Sequence, residues 1–231
     1  MNILMIGASG TGKTTIAEGI AKYYEENGYK VQIAPSIGRS VLSNVDRSIN
    51  GSFAVEEQAL EGHKHNFETL LTEDENTVSI FPRSAADVIA YLMAKKKEIE
   101  EPYMVVSKKG TLELSDKIPE ETKKVLEEAE ELIQKALEEL YDEQEACDLC
   151  IYVPKTFETV DDGVRSSKEE VDKLVGIYGN IFAKLESFGI PMIAVPKGSI
   201  EEKNDFVIKK IYNIMNDIPE EQEEIFKKPE E

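Results

Sequence analysis

Cysteine is nearly absent: Cys147 and Cys150, in a lone C-x-x-C, are the two in 231 residues. A structural zinc site needs two more good ligands, and the two histidines, His63 and His65, lie far away on a different element. A thioredoxin-like pair normally opens a helix, whereas residues 148–153 read as a strand. Packing in a reducing compartment is the expected role of both thiols. Long apolar runs are missing too, since none approaches the roughly 20 residues of a membrane helix. The opening MNILMIGASG has no basic region and no cleavable signal segment, so a soluble, cytoplasmic protein is expected. Positive charge is short overall. Lysine and arginine total 27 against 46 aspartates and glutamates, a formal charge of −19. That balance argues against broad electrostatic capture of DNA, RNA or an anionic membrane, while leaving room for a local basic pocket.

What is present is an alternation of strands and helices. Residues 2–6 are a short apolar run that fits a strand buried on both faces. Residues 14–27 follow with apolar spacing at Ile16, Ala17, Ile20, Ala21 and Tyr24 and a glycine stop at Gly28. Further strands are read at 30–34, 77–81, 148–153 and 191–195. Helices are read at 53–72 (capped by Ser52), 85–97, 119–143, 168–187 and 201–216. Residues 98–118 read as irregular, with Pro102 and Gly110 as punctuation. This order predicts an α/β fold with a mainly parallel sheet. A single domain over 1–218 is expected, with helix 119–143 open to reading as an insertion or a short coiled coil. Residues 219–231 form an acidic tail.

One motif carries chemistry. Residues Gly7, Ala8, Ser9, Gly10, Thr11, Gly12, Lys13 and Thr14 spell G-x-x-x-x-G-K-T between a strand and a helix. Glycines let the backbone wrap closely, so that successive N–H groups point at phosphate oxygens. The helix start adds its positive end, where Thr15 also lies. Lys13 supplies a point charge for the β/γ-phosphates, and the Thr14 hydroxyl suits Mg²⁺. This is the signature of a nucleotide phosphate site.

The arginines give a second clue. There are four, at 39, 47, 83 and 165, each before a serine and each in a predicted loop or at an element end. An always-charged planar fork suits phosphate better than lysine does. Arg83 lies just past the third strand, where open α/β sheets place ligands. Arg165 follows Asp161-Asp162-Gly163-Val164, a loop suited to closing over phosphates.

The P-loop, the segment Pro82-Arg83-Ser84-Ala85-Ala86-Asp87-Val88-Ile89-Ala90-Tyr91 and the run Asp161-Asp162-Gly163-Val164-Arg165 together resemble the AAA-domain-labelled P-loop kinases of phages and bacteria. That group is related to ribosylnicotinamide kinase domains and more loosely to nucleoside and nucleotide kinases. The resemblance implies a P-loop NTPase three-layer sandwich that uses ATP and Mg²⁺. It further implies that Arg83 meets the acceptor, with Asp87 and Tyr91 supporting that segment, and that Arg165 is a lid arginine. Arg39 and Gln58 stand where such proteins carry substrate-side polar residues. The family usually has a carboxylate where this chain has Pro82, so its role as base or metal contact passes to Asp87, Asp161, Asp162 or Glu57, or is lost.

A kinase transferring the ATP γ-phosphate to a nucleoside, nucleotide or similar acceptor is the leading expectation, with Lys13, Arg83 and Arg165 as its catalytic residues. The alternatives are an ATPase acting on a partner and a nucleotide-binding regulator with little catalysis. No Asp-Glu ends the third strand, as an AAA+ motor would require, and no N-K-x-D for guanine occurs. His63 and His65, two apart on a helix, read as surface residues. Tyr91, Tyr103 and Tyr152 are open to core packing or to stacking on a base. The oligomeric state is not legible.

Overall fold

The computed structural model describes residues 1–37, 53–107, 109, 111–155, 168–187 and 191–216, with backbone alone considered at 168–172. Strand β1 (Asn2–Ile6) is buried along its whole length. Helix α1 (Lys13–Glu26), β2 (Lys30–Ile33), α2 (Ala54–Leu70), β3 (Thr77–Phe81) and α3 (Ala85–Glu100) follow. After a short hairpin, β4 (Met104–Val106) and β5 (Leu112–Leu114), come α4 (Glu120–Ala146), β6 (Leu149–Tyr152), α5 (Lys168–Glu186), β7 (Met192–Ala194) and α6 (Ile200–Met215).

The five long-range strands pair in the order β2-β3-β1-β6-β7, every pair parallel. Side chains alternate across a strand, so Leu4 and Ile6 enter one core and Ile3 and Met5 the other. Helices α1 and α6 cover the second through Ile16, Ile20, Val207 and Ile211. Helices α2, α3 and α4 cover the first through Leu60, Phe67, Ile89, Leu92, Leu132 and Leu140. The result is the three-layer α/β sandwich implied by the alternation of elements. Helix α4, the acidic stretch of the sequence, puts Ala129, Leu132, Ile133, Ala136 and Leu140 into the first core and packs mainly on α3.

Residues 98–118 differ from expectation. Helix α3 continues to Glu100, one 3₁₀ turn spans Glu101–Tyr103, and β4 pairs antiparallel with β5. Met104 lies opposite Leu114 and Val106 opposite Leu112, with the turn closed by the Ser107 N–H donating to the Thr111 carbonyl at 2.7 Å. Three-residue strands are too short to show a period, which is why the sequence there reads as irregular.

Parallel strands gather all their carboxyl ends at one rim. At the opposite rim Asn2 ties segments together. Its backbone N–H donates to Asp148 Oδ2 at 2.7 Å, its side-chain amide donates to the carbonyls of Thr72 and Ala146, and its Oδ1 accepts from the Thr72 N–H. The amino-end rim is thereby closed, and the loops that carry chemistry lie at the other.

Candidate nucleotide site

The loop from β1 to α1 is built on glycine geometry. Gly7 has φ +144°, and a Cβ there would lie 2.4 Å from the carbonyl oxygen of Val153, just past β6. Gly12, at φ +96°, turns the chain into α1 in a left-handed conformation. The loop braces itself: the Thr11 hydroxyl donates to the Ala8 carbonyl at 3.0 Å, and Ala8 packs with Ala90, Leu174 and Tyr178. Helices α3 and α6 begin with full capping boxes, Ser84 with Asp87 and Ser199 with Glu202. Helix α1 begins on a glycine, with no side-chain cap and no acidic residue in its first turn. Its first N–H groups and the positive end of its dipole are therefore left for an anion.

Lys13 is buried at the foot of this loop. Its ammonium donates to the carbonyls of Gly7 and, at 3.0 Å, Ala8, and lies 3.6 Å from Asp87 Oδ1. Burial pushes its pKa down to about 8, against the opposing pull of Asp87, so it stays mainly charged at neutral pH. A phosphate in the loop would compete with the two carbonyls and Asp87 for this cation.

Asp87 is where the elements meet. Its Oδ2 accepts the Ser84 N–H at 3.1 Å, and its Oδ1 accepts from Tyr178 Oη at 2.7 Å and from Arg83 at 3.2 Å. Burial opposes its charge, but Lys13 and Arg83 outweigh that and hold the carboxyl below the usual carboxylate range. One carboxylate thus positions the P-loop lysine and the arginine that follows β3, four residues before it on the entry to α3. The Arg83 side chain keeps 24% exposure, against 4% for Asp87.

Sequence reasoning does not reach two partners in this arrangement. Tyr178 is fully buried on α5, and its place in the apolar stripe of that helix is its one sequence signal. Glu143, on α4, accepts the Ala85 N–H on both carboxylate oxygens at 3.1 Å, so the acidic helix supports the start of α3 from behind. Burial pushes its carboxyl well above the usual range, despite that N–H.

His63 corrects an expectation. It is buried, on the inner face of α2 with Glu56, Leu60 and Phe67, whereas His65 is exposed. The spacing of four, three and four that joins these residues is a core stripe, which reading the histidines as a pair obscures.

Gln58 and Glu57 are exposed on α2, and the structure does not bring them to the Lys13–Asp87 group. Arg39, Arg165, Asp161 and Asp162 lie outside the described residues. Thr14 and Thr15 are exposed in the first turn of α1, with Ser9 and Gly10 half-buried in the loop. Tyr91, Tyr103 and Tyr152 are half-buried, and Tyr152 stacks on Phe182 with centroids 4.9 Å apart. Cys147 and Cys150 are free and buried; burial pushes the first thiol well up and the second to about 12, so neither is a nucleophile at neutral pH. Among the described residues no group of three or more His, Cys, Asp or Glu offers a metal cage, and no helix is long and apolar enough to cross a membrane.

A glycine-rich loop leading from the central strand of a parallel sheet into a helix that opens on lysine defines a P-loop protein of the kinase-like α/β type. The chain belongs to a family described as AAA domain, whose model matches residues 2–203. It is similar in fold to deoxyadenosine kinase from M. mycoides, solved with products dCMP and a flexible dCDP bound. The TM-score is 0.53 and the identity 13%, covering 93% of this chain and 100% of that one. It is similar also to NadR protein in complex with NR, at a TM-score of 0.53 and 14% identity, over 93% of this chain and 49% of that one. No curated protein matches the sequence.

Proposed function

We propose that the protein is an ATP-dependent small-molecule kinase, transferring the γ-phosphate to a nucleoside, nucleotide or similar acceptor. The observation that carries this reading is the sharing of Asp87 by Lys13 and Arg83. It sets a phosphate-binding cation and an acceptor-side cation a few ångströms apart at the carboxyl rim of the sheet. Phosphoryl transfer needs positioning and charge neutralisation more than covalent chemistry. The loop N–H groups and the α1 dipole hold the triphosphate, Lys13 meets the β/γ oxygens, and Arg83 orients the acceptor or meets charge on the group in transfer. Arg165, in the role of a lid arginine, would add to that charge stabilisation, and Arg39 and Gln58 belong to the acceptor side in this reading. The exposed Thr14 hydroxyl suits a hard cation that draws its other ligands from phosphate and water, as Mg²⁺ does. Bound there, Mg²⁺ would neutralise triphosphate charge.

The test is ADP release measured with and without a panel of common nucleosides, their 5′-monophosphates and nicotinamide riboside. Release that depends on one acceptor, and that Lys13→Ala abolishes, is expected. Identical release with and without every panel member would overturn the reading.

A second reading, a nucleotide-binding regulator, is favoured by one observation: both oxygens of Asp87 are committed to protein donors. Tight ATP binding in calorimetry without turnover would select it.

A further inference from the structure

We propose that His63 contacts the acceptor, taking the hydrogen bond of the attacking hydroxyl. The inference rests on the kinase reading and deepens it. The two carboxylates that bond the start of α3 are already engaged. Asp87 is 4% exposed on its side chain, with Oδ1 engaged by Tyr178 and Arg83 and Oδ2 by the Ser84 N–H. Glu143 is buried behind α3 with both oxygens on the Ala85 N–H, Glu56 of α2 is paired through Oε1 with Lys95 of α3 at 2.8 Å, and Glu57 points to solvent on α2.

His63 is in the right place by three contacts of its own helix. Phe67 packs on Phe81, the last residue of β3, with ring centroids 4.8 Å apart. A right-handed crossover runs α2 antiparallel to the strands, so His63, four residues earlier and about 6 Å along the helix axis, lies past the end of β3. Gly62 meets Ile37, just beyond β2: a Cβ there would lie 2.8 Å from Ile37 Cδ1. Asn66 donates to the Pro35 carbonyl at 3.2 Å. His63 therefore sits at the level of the carboxyl ends of β2 and β3, and its imidazole senses the charges of Asp87, Arg83 and Lys13. Burial, with the two cations adding to it against Asp87, pushes its pKa down to about 4. It is thus neutral over the whole working range of pH, and a neutral imidazole has one ring nitrogen that accepts.

In the transfer step the acceptor oxygen bonds to Pγ as the bond from Pγ to the β,γ-bridging oxygen breaks, and ADP departs with that electron pair. The hydroxyl proton passes to the imidazole and then to water. A loose transition state asks for little proton removal before bond formation, so a weakly basic imidazole serves mainly to orient the hydroxyl.

The test uses the full chain and the panel nucleoside that the parent turns over fastest. His63→Leu keeps an apolar buried side chain, so folding, checked by melting, and ATP affinity by calorimetry are expected to hold. Its kcat/KM for that nucleoside should fall about 100-fold or more, the range for loss of a positioned proton acceptor. His63→Gln, which restores a hydrogen-bond acceptor, should recover part of the loss, and it decides the matter if the leucine variant does not fold. The chain has two histidines, so it gives two imidazole Hε1 signals in NMR, and that of His63 should move when the nucleoside is added. A folded leucine variant with kcat/KM within about threefold of the parent, or a His63 signal that the nucleoside leaves in place, would overturn the proposal while the kinase reading stands. A parent that phosphorylates only a panel monophosphate would overturn the proposal alone, and one that binds ATP but phosphorylates no panel member would remove both.

Discussion

Tyr178 donates its hydroxyl to Asp87 across 2.7 Å, joining the middle of α5 to the first turn of α3 although 91 residues separate them. Both groups are buried, and the same carboxylate oxygen also faces Lys13 and Arg83. The orientation of the two cations therefore depends on a helix that neither belongs to.

Tyr178→Phe removes that hydroxyl and leaves the ring packed on Ala8 and Ala90. A buried hydrogen bond to a charged acceptor contributes about 2 kcal/mol, so the urea midpoint should fall by a corresponding amount. Asp87→Asn should cost more, about 3 kcal/mol, because it leaves Lys13 and Arg83 without their shared counter-charge. A phenylalanine variant with the parent's midpoint would show that the bond contributes nothing.

Glu143 gives a pH dependence with a definite sign. Burial raises its folded-state carboxyl well above the ordinary value, so the folded chain holds a proton that the unfolded chain releases. Stability assigned to this group is present below the unfolded pKa of about 4.3 and declines as pH rises above it. Glu143→Gln keeps an oxygen near the Ala85 N–H and removes the titration. Between about pH 5 and 7 the variant should gain stability relative to the parent in paired denaturant curves. Parallel pH profiles for the two proteins would contradict the assignment.

Two glycines separate conformational strain from collision. Gly28, at φ +86°, has nothing within 4 Å of where a methyl group would sit, so Gly28→Ala should cost about 1 kcal/mol of left-handed strain and leave ATP affinity alone. Gly7→Ala adds a collision with backbone, the Val153 carbonyl. The loop has to move, and ATP affinity should drop by about tenfold or more in calorimetry, the loss of roughly one good phosphate contact. Equal affinities for the two variants would mean that the loop tolerates displacement.

Much of this is legible in the sequence because local patterns are short. The apolar run 2–6, the glycine spacing of 7–12 and the serine–aspartate box that opens α3 each declare themselves within a few residues. Arg83 and Asp87 stand out as charges at the end of β3 and the start of α3, although their pairing is seen only in the structure. Tyr178, Glu143 and His63 cannot be assigned to one place in this way. Helical periodicity marks each as inward-facing, but which layer a face meets depends on the strand order β2-β3-β1-β6-β7, and that order is a property of crossovers rather than of any segment. Glu143 does continue the stripe of Leu132, Ala136 and Leu140 on α4, a carboxylate on the apolar side. Among so many exposed glutamates on that helix, the exception is hidden by its neighbours.

The contrast between the two rims of the sheet has a consequence for engineering. At the amino-end rim Asn2 holds Thr72, Ala146 and Asp148 together, so a change there would disturb several segments at once. In the kinase reading, redesign of the acceptor would work at the other rim, around residues 35–37, His63 and Arg83. Variation at the carboxyl rim can be sampled broadly in a library while the stapled rim is held constant, because the two are separated by the full length of the central strands.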